Sequence, residues 1–171
     1  MGRMGEGMSR RMIKNGIEVH GYRNNVKKAE AQYEAGYISG YTTSLESLVQ
    51  VVHNGKGVFT DTARVPGVFM MVVPAETVED TLNELLPLCV EGDIIIDHGN
   101  SNFKDSRRRA ERLSKLGVSY LDCGTSGGVY GLERGYCLMV GGADTAVSTC
   151  CLLYTSPSPR DYAASRMPSS A

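Results

Sequence analysis

The chain has 171 residues, which is enough for one ordinary domain with a sizeable apolar core. Its formal net charge of −1 gives no electrostatic reason to expect nucleic acid or an anionic membrane as a partner. The five cysteines follow no metal-ligand spacing, and no apolar run approaches the roughly 20 residues of a membrane span, so we expect a cytoplasmic protein with free thiols and no bound metal.

The first third of the chain alternates helix and strand patterns. Met4, Met8 and Met12 recur every four residues, which predicts an amphipathic helix that packs against a sheet and ends near Gly16. The patterns that follow predict a strand at 17–22 and a helix at 26–35. They then predict a brief strand that begins at 38 and a helix that runs to about 54. Thr43 to Glu46 fits a capping box for the last of these helices.

The rest of the chain continues the alternation. The apolar run at 94–96 is typical of a strand buried on both faces. Further strands are predicted at 68–73, 118–121 and 137–140. Helices are predicted between them at 77–88 and 103–116. Pro74 stops the first of these strands, and Thr77 with Asp80 fits a second capping box. This order predicts a doubly wound α/β domain of the Rossmann type, with a parallel sheet, over residues 1–150.

Both ends of the chain depart from a complete domain of this kind. A doubly wound domain begins with a strand, whereas this chain begins with a helix, so we expect the sheet to lack its first, central strand. Residues 151–171 have no periodicity and contain stretches that look like the in-frame translation of a transposase-type sequencing adapter. We therefore expect a non-native, disordered tail there and a native protein that continues past residue 150.

The glycines at the start of the chain fit part of a phosphate-binding turn. Gly2 and Gly5 keep the spacing of the last two glycines of such a turn, which let the backbone approach a pyrophosphate and bring helix and strand close together. The helix that follows adds the partial positive charge of its N-terminus. The pair is a weak signal by itself, and the strand and helix alternation after it favours a dinucleotide site.

Arg23, Asn24 and Asn25 lie where a dinucleotide-binding domain usually has an acid for the ribose 2′-hydroxyl. No carboxylate is present, and the guanidinium of Arg23 can bind a phosphate or stack on adenine. This favours NADP over NAD as the cofactor, against the alternative of a solvated surface arginine.

Two polar stretches follow predicted strands, at the place where open α/β sheets bind ligands. They read Asp-x-Gly-Asn-Ser at 97–101 and Ser-Gly-Gly-x-x-Gly at 126–131. Together with Gly-x-x-Gly at 2–5, they resemble the decarboxylating 6-phosphogluconate dehydrogenase family in its short bacterial form, over residues 1–142. The resemblance implies that 6-phosphogluconate is oxidised at C3 with NADP or NAD and loses CO2 to give ribulose 5-phosphate.

The resemblance also implies roles for individual residues. Those implied to bind the cofactor are Gly2, Arg3, Met4, Gly5, Arg23, Asn24, Asn25, Val73, Pro74, Ala75 and Asn100. Those implied to bind the sugar acid are Asn100, Ser126, Gly127 and Gly128. The amide of Asn100 can donate and accept without adding charge, which suits a bridge between nicotinamide and substrate. The alternatives are a helix cap for Asn100 and a plain turn for the two glycines.

The family's general-base lysine and general-acid glutamate have no counterpart here. Lys104 and Glu133 lie in no matching motif, so we expect them on the surface, and the family's helical substrate domain is expected to be absent. His98 stands where the family often has glycine, and we interpret it as a substituted loop residue. We therefore expect no catalytic residue in this chain and no turnover from it, whereas the intact enzyme is expected to be a homo-oligomer.

Two alternative functions stay open. One is a related β-hydroxyacid dehydrogenase, such as one for 3-hydroxyisobutyrate, which also uses a Ser-Gly-Gly turn. Such enzymes usually lack the Gly-Asn-Ser sequence, so Asn100 argues against this alternative. The other is a non-catalytic nucleotide-binding module.

Overall fold

A computed structural model describes residues 2–54 and 66–150. The helices in these residues are α1 (Arg3–Lys14), α2 (Val26–Glu34), α3 (Leu45–Asn54), α4 (Val78–Leu85), α5 (Phe103–Ser114), α6 (Gly131–Arg134) and α7 (Asp144–Thr149). The strands are β1 (His20–Tyr22), β2 (Gly40–Thr42), β3 (Val68–Met71), β4 (Ile94–Asp97), β5 (Ser119–Ser126) and β6 (Cys137–Gly141). The predicted tail, 151–171, lies outside the described residues.

The alternation of strands and helices confirms the predicted doubly wound α/β fold. The pairs β1–β2, β3–β4 and β4–β5 are parallel, as expected. The prediction of a wholly parallel sheet is wrong for β6, which runs antiparallel to β5. The physical reason is the connection of residues 127–136, which is shorter than the dozen or so residues that a parallel crossover needs.

The sheet is interrupted where the missing strand is expected. Within the described ranges, β1 pairs only with β2, while β3, β4, β5 and β6 form a separate sheet in that order. A cavity of about 1370 Å³ lies between β1 and β3 and is also lined by α1 and α3. The carboxyl ends of both strands border this cavity, which makes it the candidate ligand site of the fold.

The two faces of β4 belong to two different cores, because successive side chains of a strand point to opposite faces. Ile95 packs with Leu82 of α4 and Leu113 of α5 on one face. Ile96 packs with Ala146 of α7 on the other. A central strand covered by helices on both faces holds the carboxyl end of β4 in a defined place, and the candidate site is built on that end.

Helix α1 packs in a way that the methionine spacing did not predict. Met8 is buried, whereas Met4 and Met12 are only partly buried, and Met8 and Met12 line the cavity. The close contact of this helix is made by Gly7, where an added Cβ would overlap the hydroxyl of Tyr136. The ring of Tyr136 therefore packs directly against the backbone of α1 at Gly7, and a larger residue at Gly7 requires this side chain to move.

Both predicted capping boxes are wrong in detail. The cap of α3 is Ser44, whose Oγ accepts from the backbone N–H of Ser47 at 3.1 Å, so the helix begins one residue later than the box at Thr43 predicts. Thr77 does not cap α4, because its Oγ1 donates to the carbonyl of Pro74 at 2.9 Å. The first correction moves the start of α3 by one residue, the second removes only the side-chain cap of α4, and the fold is unchanged.

Candidate nucleotide and substrate site

The cavity between β1 and β3 brings together most of the residues predicted to bind a cofactor. The predicted residues that line it are Gly2, Gly5, Arg23, Asn24, Asn25, Val73 and Pro74. Arg3, Met4, Ala75 and Asn100 are not among its lining residues. Most of the residues predicted to bind the cofactor therefore lie around one cavity, and Asn100 belongs to an adjoining part of the candidate site.

The N-terminus of α1 borders this cavity. Gly2 is the residue before the first turn and has an extended backbone, with φ of −78° and ψ of −178°. A Cβ added at Gly2 would meet no atom within 4 Å, so neither packing nor backbone conformation in the described structure requires a glycine there. The first N–H groups of a helix favour an anion, and the open space at Gly2 allows a phosphate to approach them. This end of the cavity therefore combines the backbone donors of a helix N-terminus with open space for an anionic group.

The two asparagines after β1, Asn24 and Asn25, have mainly structural roles. Asn25 caps α2, since its Oδ1 accepts from the backbone N–H of Lys28 at 3.1 Å. Asn24 accepts from the hydroxyl of Tyr22 at 3.0 Å. Arg23 also lines the cavity, and it is the basic residue of the stretch 23–25. The asparagine contacts hold the backbone on which Arg23 is placed.

The loop after β4 is organised around the buried carboxylate of Asp97. This carboxylate accepts hydrogen bonds from the backbone N–H of Gly99 at 2.7 Å, from Ser101 Oγ at 2.6 Å and from the hydroxyl of Tyr120. Arg109 of α5 lies 3.5 Å from it and brings a positive charge. Burial, with the adjacent carboxylate as the next cause, raises the pKa of the Tyr120 hydroxyl, which therefore remains a donor.

Asn100 projects from this loop to the end of β5. Its φ of 54° is the only positive value for a non-glycine residue in the described part of the chain, and asparagine tolerates that conformation better than most residues. Its Oδ1 accepts from the backbone N–H of Thr125 at 3.0 Å, and its Nδ2 donates to the carbonyl of the same residue at 3.4 Å. The alternative role as helix cap is wrong, because Asn102 caps α5 by accepting from the N–H of Lys104.

Thr125 directly precedes the turn predicted to hold the sugar acid. Ser126 is exposed at the end of β5, and Gly127 and Gly128 have φ values of 138° and 49°, which glycine adopts most readily. The contact between Asn100 and Thr125 thus places the two predicted substrate-binding segments side by side. Their sequence separation is 25 residues.

Gly99 connects this second part of the site to the cavity. A Cβ added there would lie 3.0 Å from the carbonyl oxygen of Val73 and 3.1 Å from Val78 Cγ2. The loop after β4 therefore packs directly on the residues that follow β3, two of which, Val73 and Pro74, line the cavity. Asn100 consequently lies between the candidate cofactor cavity and the turn at Gly127.

Three residues that organise the site escaped sequence reasoning: Asp97 as the centre of its loop, Thr125 as the partner of Asn100, and His98 as a buried side chain. The role of each residue depends on a partner on another element, which the sequence does not reveal. The signal that could have pointed to these residues is their position at the end of a predicted strand. Lys104 and Glu133 are exposed, as predicted. Residues 2–54 and 66–150 contain no cluster of three potential metal ligands, and none of their helices is long and apolar enough to cross a membrane.

The interrupted parallel sheet, the helices on both faces and the helix N-terminus beside the cavity define a dinucleotide-binding domain of the dehydrogenase type. The chain belongs to the 6-phosphogluconate dehydrogenase family, since the family model for the NAD binding domain of 6-phosphogluconate dehydrogenase matches residues 1–153. This result confirms the family resemblance found in the sequence.

One curated relative and two solved structures show what the chain is similar to. The chain is 36% identical, over 146 residues, to an NAD(+)-dependent, decarboxylating 6-phosphogluconate dehydrogenase of Haloferax volcanii, covering 85% of this chain and 44% of that protein. The Plasmodium falciparum 6-phosphogluconate dehydrogenase matches with a TM-score of 0.75 and 23% identity, over 90% of this chain and 32% of that one. A 3-hydroxyisobutyrate dehydrogenase of Salmonella typhimurium matches with a TM-score of 0.70 and 21% identity, over 92% of this chain and 51% of that one. The chain spans less than half the length of the Haloferax relative, and the two structural matches show the fold alone.

Proposed function

We propose that this chain is the nucleotide-binding part of a decarboxylating 6-phosphogluconate dehydrogenase. The contact that supports the proposal best joins Asn100 to Thr125, because it puts the loop after β4 beside the turn at Gly127 and next to the cavity. A dehydrogenase needs its cofactor and its substrate to meet at one point, and Asn100 lies between the two candidate binding regions. The bound nucleotide would accept the hydride from the substrate.

The cofactor role rests on the residues around the cavity. We assign the pyrophosphate to the N–H groups of the first turn of α1, beside Gly2 and Gly5. Arg23 is assigned to the adenosine end, where its cation would attract a 2′-phosphate and so favour NADP over NAD. Val73 and Pro74 would contact the nucleotide from the β3 side.

The substrate role rests on the adjoining loops. One hydrogen of the Asn100 amide is used on Thr125, so the second hydrogen and the second lone pair of Oδ1 remain for a ligand. Ser126 and the backbone N–H groups of Gly127 and Gly128 can bind a carboxylate or hydroxyl at short range. No side chain of this chain is assigned as general acid or base, so we propose that these groups belong to a further part of a cytoplasmic, homo-oligomeric enzyme.

Binding measurements test the cofactor assignment. In a calorimetric titration, we expect the chain to bind NADPH more tightly than NADH. Arg23→Ser should weaken the binding of NADPH roughly tenfold and change the binding of NADH little, which is the effect of losing one charge-assisted phosphate contact. Arg107→Ser, at an exposed arginine of α5, is the matched control and should change neither. Equal weakening of both nucleotides by Arg23→Ser would refute the assignment of the 2′-phosphate.

The substrate assignment is tested separately. The chain with NADP should bind 6-phosphogluconate in preference to 3-hydroxyisobutyrate and should release no CO2. Preference for 3-hydroxyisobutyrate would favour the β-hydroxyacid dehydrogenase alternative. Binding of nucleotide with neither acid would favour the non-catalytic module, and CO2 release would show that the chain carries its own acid and base.

A further inference from the structure

His98 is buried although it lies in a polar loop. Its side chain follows β4, and the residue is only 3% exposed. Its backbone N–H donates to the carbonyl of Met71 at the end of β3, which fixes the start of the loop. Its ring nitrogen Nδ1 lies 2.9 Å from Oγ1 of Thr125. The ring therefore reaches the same residue of β5 that Asn100 contacts through the backbone.

The hydrogen bonds of Thr125 determine which ring nitrogen carries the proton. The Thr125 hydroxyl has one hydrogen, and it donates this hydrogen to the carbonyl of Cys123 at 3.1 Å. With that hydrogen directed at Cys123, the Thr125 oxygen is the acceptor toward His98, and this hydrogen-bond arrangement assigns the ring proton to Nδ1. Nε2 is buried and has no hydrogen-bond partner in the described residues, as fits a neutral ring. Burial lowers the pKa of His98 to about 4, against the opposing effect of the Asp97 carboxylate, so the ring is neutral near pH 7.

Two residues of one loop thus hold Thr125 from different sides. His98 contacts the side-chain oxygen, and Asn100 contacts the backbone N–H and carbonyl. If the hydroxyl contact is lost, the hydrogen bonds that join Thr125 to the loop after β4 are reduced to those of the Asn100 amide, whose Nδ2 contact is long at 3.4 Å, while β6 continues to pair with the end of β5. The direction of that amide therefore depends on where Thr125 is held.

We propose that His98 is a positioning residue, which by donating from Nδ1 to Thr125 fixes the orientation of the Asn100 amide and of the turn at Ser126, Gly127 and Gly128. Its importance for substrate binding rests on the proposed function of Asn100, whereas the positioning itself does not. His98 lies in the loop after β4, as the sequence-based interpretation expected, and the proposed role adds to that interpretation.

Substitutions of matched geometry test the proposal. The Nδ2 of His98→Asn lies near the place of Nδ1 and keeps the donor, whereas His98→Gln moves the amide toward the place of Nε2 and His98→Phe has no donor. In isotope-labelled chain without ligand, we expect the backbone N–H of Thr125 and the side-chain amide of Asn100 to keep their signals in His98→Asn. Both should shift in His98→Gln and His98→Phe, and the Thr125 amide should exchange with solvent roughly tenfold faster, as expected for one lost hydrogen bond.

The wild-type chain supplies a second readout that needs no variant to fold. Nitrogen shifts of the His98 ring at pH 7 should show the form protonated at Nδ1, and finding the Nε2-protonated form would overturn the proposal. Unchanged Thr125 exchange and Asn100 signals in His98→Phe would also overturn it. A final titration with 6-phosphogluconate should show about tenfold weaker binding in His98→Gln than in His98→Asn. No binding by the wild type would contradict the proposed function alone, since the ligand-free signals decide the positioning.

Discussion

Acidification should destabilise the folded chain through His98. Its pKa is about 4 in the folded chain and near its ordinary value of 6.5 when unfolded, and burial is the main cause of the difference. Because the pKa is lowered on folding, the unfolded chain binds a proton first as the pH falls. Stability contributed by the neutral ring is therefore complete above about pH 6.5 and is lost as the pH falls toward 4.

The magnitude follows from these two values. With an unfolded pKa near 6.5 and a folded pKa of about 4, the free energy of unfolding falls by about 2 kcal/mol between pH 7 and pH 5, and by about 3 kcal/mol on reaching pH 4. The loss levels off below the folded pKa, where both states carry the proton. The largest change per pH unit is expected between pH 6 and pH 4.

Urea unfolding at pH 7 and pH 5, in the wild type and in His98→Asn, measures this loss. The asparagine keeps the donor to Thr125 and does not titrate, so the variant should lose about 2 kcal/mol less between the two pH values. Glu79, whose pKa is lowered mainly by its hydrogen bond from Arg109, is present in both chains, and its contribution cancels in the comparison. A difference below about 0.5 kcal/mol, or one of opposite sign, would refute the reasoning from burial.

Three further outcomes are expected. Gly2→Ser should change the free energy of unfolding by less than about 0.5 kcal/mol, because the serine side chain has open space there and serine is a good helix cap. The same variant should weaken NADPH binding about tenfold. Gly99→Ala should destabilise the chain by about 1–3 kcal/mol, because the added Cβ has no room beside the residues that follow β3. Calorimetry and urea unfolding separate the two effects, and equal stability of both variants would contradict the packing argument. Asp97→Asn should cost about 2–4 kcal/mol because it removes a buried carboxylate with three donors. Asp105→Asn, at a half-buried carboxylate paired with the exposed Arg108, should cost less than about 0.5 kcal/mol. In hydrogen exchange, the amides of β1 should exchange faster than those of β4, because β1 belongs to a short two-stranded sheet and β4 lies between two partners; equal protection would mean that the separate sheets open together.

Local patterns in the sequence were sufficient for the fold class. The apolar run of β4 predicts a strand buried on both faces, and the alternation of such runs with helical periods predicts helices on both sides of a parallel sheet. The same local reasoning placed polar and small residues at strand ends, where the candidate site lies. Most of the predicted cofactor residues consequently line one cavity.

Where two parts of the chain meet was decided only by the tertiary structure. The contact of Thr125 with both His98 and Asn100 depends on which elements become neighbours, because β4 and β5 lie side by side only in the folded sheet. Hydrogen bonds join atoms that are close in space, and these partners are up to 27 residues apart along the chain. Periodicity reports which face of an element is buried, but it carries no information on which distant side chain will lie opposite. For this protein, the sequence alone predicted the alternation of strands and helices through β6 and the strand ends beside which the candidate site lies. Helices α6 and α7, and the side chains that meet at that site, are seen only in the tertiary structure.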